Sequence, residues 1–433
     1  MVRVSIVRRL NEAAIGRAKA HKWLAALALF LATGLIWAQP LPGGPRVPFF
    51  LLLGLSCGVA AWQRRRLWAT PVARWGAGGL FALAVIITLS LVGAPQPGSG
   101  FGYAILVTGF ALATATLAWV AQQIRGAARW LQVGVQVAFG FLLIDALWQF
   151  LLGVDLFGVL YRPDHFEGRL LGPFADSLKL PVLLAVLFPV AVWPWRVRPA
   201  LTLPLLLATG WVVLLSGARS ALVLLTLAAL PVVWLWPRRF LVGLLAALVV
   251  GIGAAIALSP AWQSRAANTL QGVAALFQAH DAAQIEAGLN AILTQRWELW
   301  RNAFRMGAAH PFLGVGAKQF RAVYPDYANT EDLFRTADPY HAHHLYLALW
   351  AELGASGLLW VLAMAGAAAV AYRRAPPEAK ARAAPWGAAL AAYAFPLQSQ
   401  PVLLNIWWFP VVWFCWVGFW LALREEALTT SAA

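Results

Sequence analysis

Long apolar runs dominate this sequence and limit what it can fold into. Most of the 433 residues fall into about a dozen hydrophobic runs separated by polar or basic connections. About 20 apolar residues in a helix cross the hydrocarbon core of a bilayer. Hydrophobic residues make up 61% of the chain and charged residues 12%, against about 25% charged in a soluble domain. A soluble globular protein is therefore excluded, and the chain is predicted to be an all-α integral membrane protein.

The runs predict about twelve transmembrane helices, near 23–38, 47–62, 75–93, 101–122, 129–152, 177–195, 199–215, 220–236, 240–258, 344–372, 385–403 and 405–423. They divide the chain into three parts. Residues 1–258 hold a basic N-terminal segment and spans 1–9, residues 259–343 form a large, partly helical periplasmic loop, and residues 344–433 hold spans 10–12 and the C-terminus.

The net charge of +16 follows the predicted topology. Most Lys and Arg lie in every second connection, beginning with the segment before the first span. Basic residues collect on the cytoplasmic side of membrane proteins, so both termini are expected to be cytoplasmic. This distribution explains the excess of basic residues, so no nucleic acid partner is expected. Membrane lipids are the expected partners of the apolar surface.

The loop at 259–343 contains two predicted helices. Ser259-Pro260 is typical of a helix start, with a capping serine and proline at the first helical position, and this helix runs to Phe277. A second helix is predicted at about 289–309. Its apolar stripe is expected to lie on the membrane surface or against other helices, and comprises Leu293, Trp297, Trp300 and Phe304.

Three further segments in and after this second helix allow predictions about solvation, nucleotide binding and helix packing. Arg301 and Arg305 lie opposite the stripe and are expected to be solvated. The segment Gly314-x-Gly316-x-Lys318 lacks the spacing of a phosphate-binding loop, which argues against an ATP-driven pump and a nucleotide partner. In span ten, Gly354-x-x-Gly357 predicts a close contact between helices.

Four of the seven histidines lie between 310 and 344, three of them as His341, His343 and His344. A metal site is one interpretation, although the chain has no HExxH motif and no cysteine pair beside them. A structural role at a helix start is another. Acid–base chemistry is favoured, because imidazole is the side chain best matched to proton transfer near neutral pH.

Arginines stand at three positions near the predicted outer face. Arg219 lies in the tight turn between spans seven and eight, where a guanidinium has an anionic partner or extends to the interface. Arg296 flanks the apolar stripe at the membrane boundary. Arg169 lies in a loop that contains glycine and proline. An ordinary turn without a binding role is the alternative interpretation of this loop.

These motifs resemble the bacterial O-antigen ligases and their relatives, the O-antigen polymerases and protein O-oligosaccharyltransferases. The resemblance rests on three motifs in order, which are Ser216-Gly217-Ala218-Arg219-Ser220, the run Arg296-Trp297-x-x-Trp300 with His310-Pro311-Phe312-x-Gly314-x-Gly316, and His341-Ala342-His343-His344-Leu345-Tyr346-Leu347 followed by Glu352-Leu353-Gly354 and Gly357. The family usually has His-Asn where this chain has His343-His344.

The resemblance implies a glycosyltransferase C-like membrane enzyme that uses neither metal nor cofactor. It would move a glycan from undecaprenyl pyrophosphate to an acceptor on the periplasmic side of the bacterial inner membrane. Arg219 and Arg296, with Arg169 as a third candidate, would hold the pyrophosphate. His343 would be the catalytic base, with His344 and His341 in support, although alignment leaves His344 as the alternative base.

The acceptor separates members of this family. Lipid A-core oligosaccharide is the expected acceptor, so the predicted reaction is O-antigen ligation in lipopolysaccharide assembly. A polymerase would need to bind a second lipid-linked glycan, and the sequence has no second long outer loop. A flippase, the alternative from another class, would carry charge along the membrane depth, whereas this chain collects Arg and His at one face.

Overall fold

The computed structural model of the protein is almost entirely helical. The structure describes residues 2–41, 43–68, 70–161, 168–174, 178–258, 260–293, 296–337, 339–396, 399–400 and 402–424. Helices account for most of the described residues. The described residues form no strand, and a bridge between Val154 and Leu160 stands isolated. The predicted all-α fold is confirmed.

The described helices, in chain order, are α1 (Val2–Trp37), α2 (Arg46–Leu67), α3 (Gly78–Ser90, after a π-helical turn at Val72–Ala77), α4 (Pro97–Gln123), α5 (Ala127–Leu152), α6 (Lys179–Val192), α7 (Pro199–Leu215), α8 (Arg219–Val233), α9 (Arg238–Leu258), α10 (Pro260–Gln278), α11 (Ala282–Leu293), α12 (Arg296–Ala309), α13 (Phe320–Tyr327), α14 (Leu345–Arg374), α15 (Pro377–Tyr393) and α16 (Phe409–Arg424). We call α10–α13 the cap helices.

The lengths and composition of these helices fit an integral membrane protein. Among the described residues, six helices are long and apolar enough to cross a membrane, and four shorter apolar helices accompany them. A helix satisfies its backbone hydrogen bonds internally, which is the condition for crossing hydrocarbon. The total of twelve spans and the cytoplasmic termini stay predictions, as does the division of the chain at residues 259 and 344.

The helix α6 lies at the centre of the bundle. Its residues from Leu180 to Val192 are all buried, and it packs against α5, α8 and α15. A helix that is apolar all round belongs in the interior. Peripheral helices instead expose apolar side chains, such as Trp23 of α1 and Val249 of α9. Such surfaces suit contact with lipid.

The cap helices differ in extent from the prediction. The helix α10 confirms the first predicted helix, while its expected N-cap, Ser259, lies outside the described residues. The prediction of a single second helix at 289–309 is wrong. Two helices occupy this region, since α11 begins at Ala282 and α12 begins at Arg296. The early start has a local cause, because the Asp281 carboxylate accepts a hydrogen bond from Gln284 N at 2.8 Å, as an N-cap does.

The cap helices share a small hydrophobic core with the start of α14. Leu299, Ala303 and Met306 of α12 are buried against Ala348 and Ala351 of α14. These α12 positions recur after four and three residues, so they lie on one helical face. The short alanine side chains let the two helix backbones approach closely.

The predicted apolar stripe is therefore not the buried face of α12. Trp297 and Trp300 are half-buried, and Phe304 is 59% exposed. The helix has two apolar faces, and the face that packs on α14 carries the smaller side chains. Whether the aromatic face lies at the membrane surface stays a prediction.

Arg301 is not solvated as predicted. Its Nη1 lies 2.6 Å from Glu286 Oε1 of α11, and its side chain is 19% exposed. The reason is α11 itself, which packs beside α12 and covers that face. Arg305 is exposed as predicted, and its Nη1 donates to Asn329 Oδ1 at 3.2 Å.

The helix α14 is interrupted at Gly354. Its φ of +60° is outside the helical range and is tolerated best by glycine. A Cβ at Gly354 would lie 2.6 Å from the backbone carbon of Phe312. The predicted close helix contact at Gly354 and Gly357 is therefore wrong, because the close partner of Gly354 is the turn at 311–316.

Backbone hydrogen bonds fasten this turn into the interruption. Val315 N donates to Ala351 O at 2.8 Å, and Ala355 N donates to Pro311 O at 2.7 Å. Peptide groups on both sides of the interruption thus gain partners that a continuous helix would have supplied. The turn that joins the cap helices α12 and α13 is consequently bound to the first turns of α14, which follow the histidine cluster.

The predicted span at 385–403 is also misplaced. The helix α15 ends at Tyr393, and the described residues between it and α16 are not helical. Pro396 explains the early end, since proline interrupts helices and restricts the preceding residue. This non-helical segment brings Ser399 to the histidines.

Candidate functional site

Arg219 begins α8 after a tight turn at Ser216–Ala218. Gly217 adopts φ +67°, which glycine takes without steric strain. The buried Ser216 hydroxyl closes the turn by donating to Val213 O at 2.7 Å. Arg219 Nη1 then donates to Thr269 Oγ1 of α10 at 3.1 Å. The guanidinium of Arg219 therefore faces the cap helices.

Arg296 is the first residue of α12, and its side chain is half-buried. Burial lowers the pKa of Arg296, and the positive charge of Arg219 lowers that pKa further. The two guanidinium groups are thus close enough to repel each other. Among the described residues, no carboxylate forms an ion pair with Arg296. An anion bound between the two arginines would relieve this repulsion.

His343 lies near Arg296 and has an uncommon backbone conformation. Its φ is +52°, in the left-handed region that few residues other than glycine adopt. Burial, followed by the positive charge of Arg296, lowers the pKa of His343 to about 4. The imidazole is consequently neutral near pH 7. Backbone strain of this kind is often found at functional sites.

A hydrogen bond fixes which ring nitrogen of His343 is available as a base. Nδ1 lies 3.1 Å from the carbonyl oxygen of Ser399. Because a carbonyl only accepts hydrogen bonds, Nδ1 carries the proton and donates it to Ser399 O. In the neutral ring, Nε2 then keeps the lone pair. His343 therefore presents Nε2 as a proton acceptor.

Ser399 connects the histidine to the arginine turn. Its side chain is buried, and its Oγ lies 3.1 Å from Ser220 Oγ, the residue that follows Arg219. One serine thus holds both His343 and the start of α8. Sequence reasoning missed Ser399 because it assigned this segment to a membrane span. The signal in the sequence was the pair Pro396 and Pro401.

His344 has a structural role as the N-cap of α14. Its Nδ1 accepts from Leu347 N at 3.3 Å, and its ring makes an edge contact with Trp300, with 5.1 Å between centroids. With Nδ1 committed to the helix start, His344 is less available for catalysis than His343. Asparagine also caps helices well, which accounts for its usual presence here in the family that the sequence resembles.

His341 packs directly against His343. Their ring centroids are 4.1 Å apart, and burial lowers the pKa of His341 well below its usual value. Its Nε2 is buried and has no hydrogen-bond partner among the described residues. His341 is thus a neutral neighbour that holds one face of the candidate base.

Arg169 lies in a non-helical segment near the same turn. Leu170 N donates to Leu215 O at 3.2 Å, which joins this segment to the end of α7, next to Ser216. The direction of the Arg169 guanidinium toward the other two arginines stays a prediction.

A large apolar cavity begins beside the histidines. Its volume is about 600 Å³. Leu345, the residue after His344, lines one end, and Tyr372 and Phe419 line the other. Alanines of α14 and α15 form much of the wall between them. Such a wall is suited to a hydrocarbon chain, because it offers few hydrogen bonds.

The arrangement supplies two functions that a group transfer from a phosphate ester needs. Arg219 and Arg296 provide fixed positive charge, and His343 provides a neutral nitrogen base held by Ser399. In the described part of the chain, no group of three or more His, Cys, Asp or Glu is arranged to hold a metal ion.

The fold and this site define a multi-pass membrane protein with a cationic, imidazole-containing site beneath a helical cap. Residues 204–362 match the family model described as O-antigen ligase, which confirms the family resemblance over that segment. The match includes Arg219, Arg296 and His343 and leaves out Arg169 and Ser399. No curated protein matches the chain. The apolar helices indicate a multi-pass membrane protein.

Proposed function

We propose that this protein is a glycosyltransferase that joins O-antigen glycan, carried on undecaprenyl pyrophosphate, to lipid A-core oligosaccharide. The family match supports a transferase role and, in general, a lipid-linked glycan donor and a lipid acceptor. The observation that carries the proposal is the arginine pair beside a neutral histidine, in which Arg219 and Arg296 interact by charge and His343 keeps Nε2 free to accept a proton.

In the proposed reaction, Arg219 and Arg296 hold the pyrophosphate of the donor. The hydroxyl oxygen of the acceptor attacks the anomeric carbon of the first donor sugar. The bond from that carbon to the phosphate oxygen breaks, and undecaprenyl pyrophosphate leaves with the electron pair. The hydroxyl proton passes to Nε2 of His343. A single displacement of this kind inverts the anomeric centre.

Arginines suit this reaction without a metal ion. Negative charge grows on the phosphate oxygens as the bond breaks, and a planar guanidinium can donate two parallel hydrogen bonds to them. Donors that are already oriented stabilise this charge without reorganising. The contact from Arg219 to Thr269 supports such orientation. No metal, cofactor or nucleotide is part of the proposed reaction.

The donor also changes the electrostatics of the base. Arg296 contributes to the low pKa of His343, and pyrophosphate bound to Arg296 would offset that contribution. The pKa of His343 would rise toward the range in which a general base is most effective. Donor binding would thus prepare the base for the acceptor.

The large apolar cavity supports a lipid-linked donor. It starts at Leu345, close to the histidines, and its lining is apolar. An isoprenoid chain could occupy it while the pyrophosphate lies at the arginines. In the proposed orientation the site faces the periplasm from the inner membrane, and both termini are cytoplasmic.

Reconstitution with defined substrates tests this proposal. The purified protein is placed in vesicles with undecaprenyl-pyrophosphate-linked glycan, with or without lipid A-core, and with no nucleotide. We expect a lipopolysaccharide ladder only when lipid A-core is present. Longer lipid-linked glycan without an acceptor would identify a polymerase instead. Movement of the donor across the bilayer without any transfer would identify a flippase.

A further inference from the structure

A small polar cavity lies beside the histidines, separate from the large apolar one. Its volume is about 210 Å³, and it is lined by Lys318, Tyr340, His341, Glu352 and Asn405 among others. We call it the Lys318–Glu352 cavity. It is smaller than the roughly 300 to 1,000 Å³ of sites for drug-sized ligands. A single ring-sized polar ligand therefore fits it better than a chain does.

Two polar groups of the cavity, one buried and one half-buried, keep unused hydrogen-bonding capacity. Glu352 is 5% exposed, and its Oε1 accepts from Phe320 N at 3.1 Å, which leaves further lone pairs on the carboxyl group. Lys318 Nζ donates to Leu404 O at 3.2 Å, and an ammonium group has two further donors. A donor and an acceptor thus line the cavity together.

Asn405 adds an oriented amide. Its Oδ1 accepts from Trp407 N at 2.8 Å and from Trp408 N at 3.2 Å. These bonds fix the amide so that its oxygen is occupied and its two N–H donors remain. The cavity therefore has several fixed donors and a carboxyl acceptor, which is the kind of set that binds vicinal hydroxyl groups.

An aromatic ring stands at the mouth of the cavity. Tyr340 is 72% exposed, although exposure of a large aromatic side chain is usually unfavourable. The guanidinium of Arg321 lies over its ring, 4.6 Å from the centroid, and stabilises the ring by a cation–π contact. The held ring offers an apolar surface against which the C–H face of a sugar can stack.

The position of the cavity indicates which substrate it receives. His341 lines the cavity and also packs against the ring of His343, so the cavity approaches the base from the His341 side. Neither Arg219 nor Arg296 lines the cavity, and Arg219 instead donates to Thr269 of α10. The cavity is therefore a site apart from the two arginines that would hold the donor. In a displacement, the acceptor enters opposite the leaving group.

We infer that the Lys318–Glu352 cavity binds one sugar ring of the acceptor, stacked on Tyr340 and hydrogen-bonded to Lys318, Glu352 and Asn405. This inference rests on the proposed function for its choice of the acceptor over the donor. Sugar binding itself rests only on the cavity.

Two-substrate kinetics in vesicles test the assignment with Tyr340→Ala, whose exposed position spares the fold. We expect its KM for lipid A-core to rise roughly fivefold to tenfold, the loss of one aromatic contact, with unchanged kcat and donor KM. Tyr340→Phe keeps the ring and should restore most of the affinity. Phe277→Ala removes an equally exposed aromatic ring, 88% exposed on α10, and should leave both KM values unchanged.

Direct binding separates this inference from the proposed function. Core oligosaccharide, released from its lipid by mild acid, is added to the protein in nanodiscs without donor, and its contact is followed by saturation-transfer NMR. We expect binding by the natural protein. The affinity should fall roughly fivefold to tenfold in Tyr340→Ala, and it should also fall in Glu352→Gln, whose amide oxygen still accepts from Phe320 N. Three results would overturn the inference. The acceptor KM is unchanged in both variants, the donor KM rises instead, or the natural protein binds no oligosaccharide. Absence of transfer alongside normal oligosaccharide binding would contradict only the proposed transferase reaction.

Discussion

Separate substitutions of His343 and His344 distinguish the proposed base from the N-cap of α14. In His343→Ala the ring that presents Nε2 is lost, while the cap of α14 remains. In His344→Ala the acceptor for Leu347 N is lost, while the hydrogen bond from His343 to Ser399 remains. The first change should reduce turnover, and the second should reduce stability.

The magnitudes follow from the contacts of each residue. A general base contributes roughly 10² to 10⁴ in rate, so His343→Ala should lose turnover by that factor and keep donor binding. Loss of an N-cap costs about 0.5–2 kcal/mol, and the 3.3 Å distance at His344 puts it at the low end. Losing the ring contact with Trp300 adds about 0.5–1.5 kcal/mol. His344→Ala should therefore destabilise by about 1–2 kcal/mol.

His344→Asn is the informative control. Asparagine is among the best N-caps, so this variant should keep the start of α14 and lose the ring contacts with Trp300 and Tyr346. We expect nearly full turnover and a smaller loss of stability than in His344→Ala. The variant also restores the residue pair usual in the resembling family.

Both quantities can be measured on the same detergent-solubilised preparations. Turnover comes from initial transfer rates at saturating donor and acceptor. Stability comes from unfolding followed by fluorescence, for which the 24 tryptophans give a strong signal. If His344→Asn loses as much turnover as His343→Ala, or if His343→Ala is destabilised and otherwise active, the assignment of roles is wrong.

Three further results are expected. Arg296→Lys should lose nearly as much donor affinity as Arg296→Ala, because a point charge cannot replace the guanidinium fork. The control Arg305→Ala, on the exposed side of α12, should change donor affinity only slightly. Full donor affinity in Arg296→Lys would contradict this prediction. The pKa of His343 is lowered to about 4, so the base stays neutral at pH 7 and kcat/KM should fall only as pH drops toward about 4; an acid limb near 6.5 would refute this. Gly354→Ala should reduce folded yield, since its Cβ would meet backbone at 2.6 Å with φ +60°, whereas Gly366→Ala in the same helix meets nothing within 4 Å and should fold normally; equal yields in size-exclusion chromatography would contradict this.

The sequence indicated the helices and most of the site through features that act locally. Apolar runs give helices because the backbone must be satisfied within the segment, and this holds for α4 and α14. Arginine and histidine at the predicted outer face were informative because such residues are costly near hydrocarbon. Arg219 and Arg296 stand out for that reason, whereas the choice of His343 within the histidine cluster rests on the family resemblance.

Features that depend on tertiary contacts were missed. Ser399 was assigned to a span because its neighbours are apolar, and its contacts with His343 and Ser220 are formed between distant segments. Gly354 was interpreted as a helix contact because its spacing to Gly357 suits one, although the partner is a turn some forty residues earlier in the chain. Arg301 is not solvated because α11 covers it, and the sequence pattern alone does not separate α11 from α12.

A structure of the protein with bound undecaprenyl pyrophosphate, prepared in EDTA, tests the central claim most directly. We expect the pyrophosphate between Arg219 and Arg296, with phosphate oxygens about 2.7–2.9 Å from guanidinium nitrogens and no metal density beside them. His343 should lie next to the site of the bond that is broken, with Nδ1 still donated to Ser399 O. Pyrophosphate bound away from both arginines, or binding only when divalent metal is restored, would contradict the claim.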